Sequence, residues 1–87
     1  MAKYTLRIKS SAAKELDALD KQLFVRIDRK IQGLANNPRP PGCKKLKDGE
    51  KEWRIRVGDY RVVYTIDDTN LLLEVTRVRH RSEIYER

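Results

Sequence analysis

The sequence predicts an α+β domain in which a two-helix unit packs on one face of a mainly antiparallel sheet. Three observations carry that prediction. Apolar residues recur at spacings of three and four between Ala12 and Asn36, and on either side of that segment they alternate. The run ANNPRPPG divides the two regimes, because three prolines and a glycine cannot continue a helix. The resulting order is one strand, a helical segment, then several strands joined by hairpins. Eighty-seven residues amount to a single domain, 1–87, with no internal repeat.

The first strand is KYTLRIKS. Tyr4, Leu6 and Ile8 fall on one side and Thr5, Arg7 and Lys9 on the other, the pattern of a half-buried strand. Ser10 or Ser11 then offers a hydroxyl to cap a helix. Ala13, Leu16, Leu19, Leu23, Ile27, Ile31 and Leu34 form one apolar stripe, with Lys14, Asp17, Lys21, Arg29 and Lys30 as the solvated face. Asp20 is a second candidate N-cap, which would split the segment into a helical hairpin. After the prolines the period becomes two. CKKLKDGEKEWRIRV reads as a short strand, a turn at Asp48-Gly49 and a longer strand, and YRVVYTID and LLLEVTRVR follow.

Charge narrows the function. Twenty Lys and Arg against thirteen Asp and Glu give +7 and a pI near 9.8, a balance suited to a polyanion or an acidic protein. Lys44 to Arg61 carries seven Lys and Arg against four Asp and Glu, a net of +3, and Arg77 to Arg87 carries four against two, a net of +2. Cys43 is the single cysteine, so neither an internal disulfide nor a cysteine-based metal site is expected. No apolar run has the length of a signal sequence or a membrane span, and the expected location is cytoplasmic.

The hairpin EWRIRVGDYRVVY places the charge. Gly58-Asp59 reads as a two-residue turn, which sets Val57 against Tyr60, Arg56 against Arg61 and Ile55 against Val62. Trp53, Ile55, Val57, Tyr60, Val62, Tyr64 and Ile66 then face the core. Arg54, Arg56 and Arg61 face the other way. Like charges directly opposite one another destabilise a sheet, and the cost is offset when guanidinium groups share a phosphate through bidentate hydrogen bonds. In the last strand, an even-length loop puts Leu71, Leu73 and Val75 on the core side and Glu74, Thr76, Val78 and His80 on the arginine side. The chain closes with RVRHRSEIYER. His80, beside an anion site, is an acid/base candidate, because its unperturbed pKa lies near neutrality.

The hairpin WRIRVGDYRVVY, the ending VRHRSEIYER and the layout of strand, two helices, NNPRPPGCKKLKDG and sheet resemble the RelE/ParE superfamily of toxins from type II toxin–antitoxin pairs, over nearly the whole chain. The resemblance implies a RelE-like, microbial-ribonuclease-type fold. Its RelE-like branch implies an endoribonuclease, an mRNA interferase that cuts message in the ribosomal A site and so inhibits translation. No metal or cofactor is implied: the ribose 2′-OH attacks the adjacent phosphate to leave a 2′,3′-cyclic phosphate and a free 5′-OH. Carried over by position, Arg61 is similar to the family arginine on the scissile phosphate. Arg54 and Arg56 stand where other members have lysines, Arg79 or Arg81 matches a further arginine, and Tyr85 matches the C-terminal tyrosine. Lys44, Lys45 and Lys47 join Arg79 and Arg81 as expected RNA contacts. Arginine stays protonated, so the general base falls to His80 or Tyr85. The implied partners are an acidic antitoxin that holds the toxin silent, with a higher-order toxin–antitoxin oligomer possible, and the 30S A site with its mRNA; no membrane partner is expected. Two other readings are a ParE-like inhibitor of DNA gyrase and an inactive binding module.

Overall fold

The structure is a computed structural model that describes residues 3–46 and 51–83. Its elements run β1 (Thr5–Ile8), α1 (Ser10–Asp17), α2 (Lys21–Leu34), β2 (Lys44–Lys45), β3 (Glu52–Val57), β4 (Tyr60–Asp67) and β5 (Leu72–His80), then a 3₁₀ turn at Arg81–Glu83. The sheet order is β1-β5-β4-β3-β2. β1 runs parallel to β5, and the other neighbours are antiparallel. The expected turn at Asp48-Gly49 lies outside the described residues.

Both helices form where the apolar spacing places them, with two local corrections. Neither Ser10 nor Ser11 caps α1. Lys9 occupies the cap position, and its side chain makes no capping bond. Ser11 Oγ instead donates to Thr76 O on β5 (3.3 Å). Ala12, not Ala13, is the buried alanine, four residues from the buried Leu16. Asp20 restarts the chain as expected: its carboxylate accepts from Leu23 N at 2.9 Å, one of the amide donors a helix start leaves unsatisfied. α2 then presents Ile27, Ile31 and Leu34 to the sheet, which answers with Ile55, Val57, Val62, Tyr64, Ile66, Leu73, Val75 and Val78. Leu19 and Leu23 pack at the margin of this cluster.

The β3–β4 hairpin has the register read from the sequence: Val57 against Tyr60, Arg56 against Arg61, Ile55 against Val62. Gly58, at φ +61°, supplies the left-handed residue that the two-residue turn requires. The proline-rich connection is tied down from three sides. Tyr64, fully buried, donates its hydroxyl to Pro38 O (2.7 Å). Arg39 pairs with Asp68 (2.9 Å) and stacks over Trp53 at 5.0 Å from the ring centre. Tyr4 donates to the same Asp68 carboxylate.

β5 departs from the expected alternation twice. Leu71 is not a core residue. It sits in the β4–β5 turn at φ +51° and is 38% exposed, while Asp67 accepts from the Thr69 and Asn70 amides to close that turn. The even-length connection itself holds, since Asp67 pairs with Leu72 and Ile66 with Leu73. Further on, Tyr64 pairs with Val75 but Val63 pairs with Arg77, so Thr76 is an extra residue, a β-bulge. Its Oγ1 donates to Val63 O (3.2 Å). Beyond the bulge every side chain changes face. Val78 therefore enters the core, and the expectation that Val78 and His80 join the arginines is overturned.

Candidate functional site

The face of the sheet opposite the helices collects cations from three strands. β3 supplies Arg54 and Arg56, β4 supplies Arg61, and the bulge delivers Arg77 and Arg79 from β5. Arg56, Arg61 and Arg79 form a continuous cross-strand row. Arg54 pairs with Val63, and both are nearly buried at 4% and 5% exposure. The Arg54 guanidinium is pushed below its ordinary value by burial first and by the neighbouring charges of Arg61 and Arg56 second. It remains a cation at any physiological pH. Like charges held this close, with one of them desolvated, form a site that gains from an arriving anion.

At the turn end of the hairpin, Arg56, Arg61 and Arg81 line a hollow of about 110 Å³ together with Gly58, Asp59 and Tyr60. At about 30 Å³ per water, it holds the volume of three or four waters, the scale of a tetrahedral oxyanion. Arg81 is fixed there by its backbone amide, which donates to Asp59 O at 2.7 Å. Thus Arg79 and Arg81, left open as alternatives by the sequence, both reach the site: Arg79 opposite Arg61 in the sheet and Arg81 at the hollow.

Other expected site residues are distributed differently. Lys44 pairs with Arg54 and shares its face, whereas Lys45 pairs with Trp53 and belongs to the helix side. Lys47 and Tyr85 lie outside the described residues. His80 does not stand beside the arginines. It pairs with Tyr60, meets that ring edge-on at 5.4 Å, and its Nδ1 lies 2.9 Å from Ser82 Oγ. Among the described residues no group of three or more His, Cys, Asp or Glu could hold a metal ion, and no helix is long and apolar enough to cross a membrane.

Arg77 arrives through the bulge. One contributor escaped the sequence reading. Glu15, on α1, secures the site from behind. β1 covers β5 only as far as Val75, so the next amides of β5 lie on an open edge. Glu15 accepts from Val78 N (2.7 Å) and from Arg79 Nε (2.6 Å), which caps that edge and orients Arg79. Ser11 and Glu15, four residues apart, put all three bonds to β5 on one helix face. The signal for the bulge was present in LLLEVTRVRH, where Val75 and Val78 are three apart, a spacing that a regular strand cannot bury on one face.

Comparison with known proteins is consistent with this architecture. The family described as "ParE toxin of type II toxin-antitoxin system, parDE" matches residues 6–85. A putative RelE-like toxin protein of Escherichia coli is 31% identical, over 95% of this chain and 90% of its own. Toxin RelE of Mycobacterium tuberculosis is 35% identical, over 94% of this chain and 86% of its own. The archaeal RelE–RelB complex from Pyrococcus horikoshii superimposes with a TM-score of 0.81 at 25% identity, covering 97% of this chain and all of that one. With a matched region that spans nearly the whole sequence and a sheet that repeats the RelE arrangement, the chain belongs to the RelE/ParE superfamily and is a toxin of the type II toxin–antitoxin class.

Proposed function

We propose that this toxin is a ribosome-dependent endoribonuclease that cleaves mRNA in the A site by attack of a ribose 2′-OH on the adjacent phosphate. The observation that carries the reading is the row Arg56–Arg61–Arg79, with Arg54 and Arg81 at its flanks. Such chemistry needs the phosphate held for in-line attack, the charge growing on its non-bridging oxygens stabilised, and two protons moved. The arginines perform the first two tasks. Arg61 grips the scissile phosphate, Arg56 and Arg81 close on it from the hollow, and Arg79 extends the clamp. Proton transfer falls to Tyr85, since His80 lies on the other side of the sheet. Lys44 adds a contact to the RNA backbone, as do Lys45 and Lys47. The balance of bonds is internal to the RNA: one P–O bond forms to the 2′ oxygen, and the P–O bond to the 5′ oxygen breaks.

An acidic and apolar antitoxin segment keeps the toxin silent. Its carboxylates meet the basic side and speed association, and its apolar side chains bury against the helices or a sheet edge. The family description names ParE, which favours one second reading, an inhibitor of DNA gyrase. A translation extract separates the two: discrete cuts in ribosome-bound message support the ribonuclease, whereas intact message with blocked gyrase supercoiling supports the gyrase inhibitor. The cognate complex should leave message uncut.

A further inference from the structure

We propose that the cleft between α2 and the edge of β3 is a second RNA subsite, which takes the single strand continuing from the phosphate held at the arginine hollow. The inference rests on the ribonuclease reading and extends it to a part of the surface outside the sheet face. The pairing of β2 with β3 ends at Lys44 opposite Arg54, so beyond Arg54 the edge of β3 opens toward α2. The space there is about 660 Å³, within the range of specific ligand sites. Arg29, Lys30, Lys44, Arg54 and Arg56 line it, and among the described residues no carboxylate does. Leu34 and the run from Pro40 to Gly42 supply an apolar wall for the base or sugar of a nucleotide.

Continuity decides the occupant. Arg56 lines both this cleft and the 110 Å³ hollow, so the two cationic spaces meet at one guanidinium-bearing residue. A strand with one phosphate in the hollow has its neighbouring phosphates within reach of Lys44, Arg29 and Lys30. A positively charged groove that tracks a backbone, with an apolar surface alongside, is the general solution for single-stranded nucleic acid. Arg29 and Lys30 thereby gain a role that their position on the polar face of α2 did not suggest. Both are exposed.

The test is a salt titration of the full-length chain with a fluorescein-labelled 12-nucleotide single-stranded RNA and, separately, with a labelled dinucleotide that spans the hollow alone. The variant is Arg29→Ala with Lys30→Ala. Alanine favours the helix, so α2 persists. Each lost phosphate contact reduces the slope of log affinity against log salt by about 0.7, so the pair should lower it by about 1.4 and weaken the 12-mer about tenfold at moderate salt. Dinucleotide binding should be unchanged. The control, Lys14→Ala with Lys21→Ala, removes two exposed cations that do not line the cleft and should leave the slope intact. Equal losses from both pairs would show diffuse attraction and overturn the assignment. So would an unchanged 12-mer affinity, or loss of binding to an acidic peptide with RNA unaffected, which would make the cleft a protein dock. A chain that gives the expected titration yet cuts no message would refute the ribonuclease reading and leave the subsite in place.

Discussion

Replacing Glu15 tests the link between α1 and the arginine face. Its carboxylate does two things at once: Oε1 accepts the open-edge amide of Val78, and Oε2 accepts Arg79 Nε. A hydrogen bond to a charged group contributes roughly 1.5–3 kcal/mol. The ion pair is partly solvated, with side chains 37% and 22% exposed, so screening holds its share to about 0.2–1 kcal/mol. Truncation also lets water reach the amide, which recovers part of the loss. Glu15→Ala should therefore cost about 2 kcal/mol, or a drop in Tm of roughly 8–16 °C for a chain of this size. Glu15→Gln keeps a neutral acceptor for Val78 N and should lose about half as much. Thermal unfolding followed by circular dichroism reads both variants. Cleavage of ribosome-bound message, measured well below their Tm, reads the second consequence: an Arg79 without its anchor should lower the rate about tenfold, mainly in kcat. A Glu15→Ala protein that melts within about 2 °C of the parent would refute the edge-capping argument. One that is destabilised but cuts at the full rate would show that Arg79 needs no positioning.

Arg61→Ala should keep the fold, since its side chain leaves the core face, and should cut message about 10²-fold more slowly; a folded variant with the parental rate sinks the phosphate clamp. Tyr85→Phe should slow cleavage about 10²-fold with ribosome binding retained, while His80→Ala stays within a few-fold at every pH, and a reversed ranking in single-turnover assays would return the base to His80. Leu71→Asn should raise stability by about 0.5–1 kcal/mol in urea titrations, because asparagine tolerates the left-handed backbone at φ +51° better than leucine does. Hydrogen bonds from Arg39 first and Tyr4 second hold the Asp68 carboxyl below the usual carboxylate range. Its contribution is thus present above the unfolded value near pH 4 and lost as pH falls through the lower folded value. Melting curves of Asp68→Asn and the parent should differ at pH 7 and converge near pH 2, and a constant gap would refute the linkage.

The sequence was most legible where one periodicity ruled alone. Asp20 capped α2 because a short acidic side chain immediately ahead of a helical run can accept from its free first-turn amides. The Gly58 turn set the β3–β4 register because a two-residue loop leaves no slack, and from that register the Arg56–Arg61 pair followed. Less legible were contacts between elements distant in the chain. Ser11 looked like a cap because its hydroxyl was judged only against its own helix; in the fold the backbone oxygen of Thr76, 65 residues away, accepts that hydroxyl. Glu15 drew no reading from the sequence for the same reason: its partners, Val78 N and Arg79 Nε, lie more than sixty residues away. Leu71 failed because the turn needed its backbone, and a tight turn outranks the burial of one side chain.

The bulge at Thr76 unites the misread and the functional parts of β5. A regular strand would have set Val75 and Val78 on opposite faces, losing about 1.5–3 kcal/mol of valine burial, and would have aimed Arg77 and Arg79 at the apolar core. One extra residue removes both conflicts. It returns Val78 to the core, turns the two arginines toward Arg61, and keeps the Thr76 hydroxyl satisfied on Val63 O. The same shift leaves Val78 N on the side where Glu15 waits. Core packing therefore drives the arrangement that gathers positive charge: the valines must be buried, and the only register that buries them exposes the arginines together. The repulsion that results is the residual cost of that solution, and it is lowered by any polyanion or acidic chain that covers the face. If the proposed ribonuclease function holds, RNA and an acidic antitoxin would compete for this one surface, because the fold concentrates its like charges there, and a substitution that relaxes the arginine row should weaken both partners together.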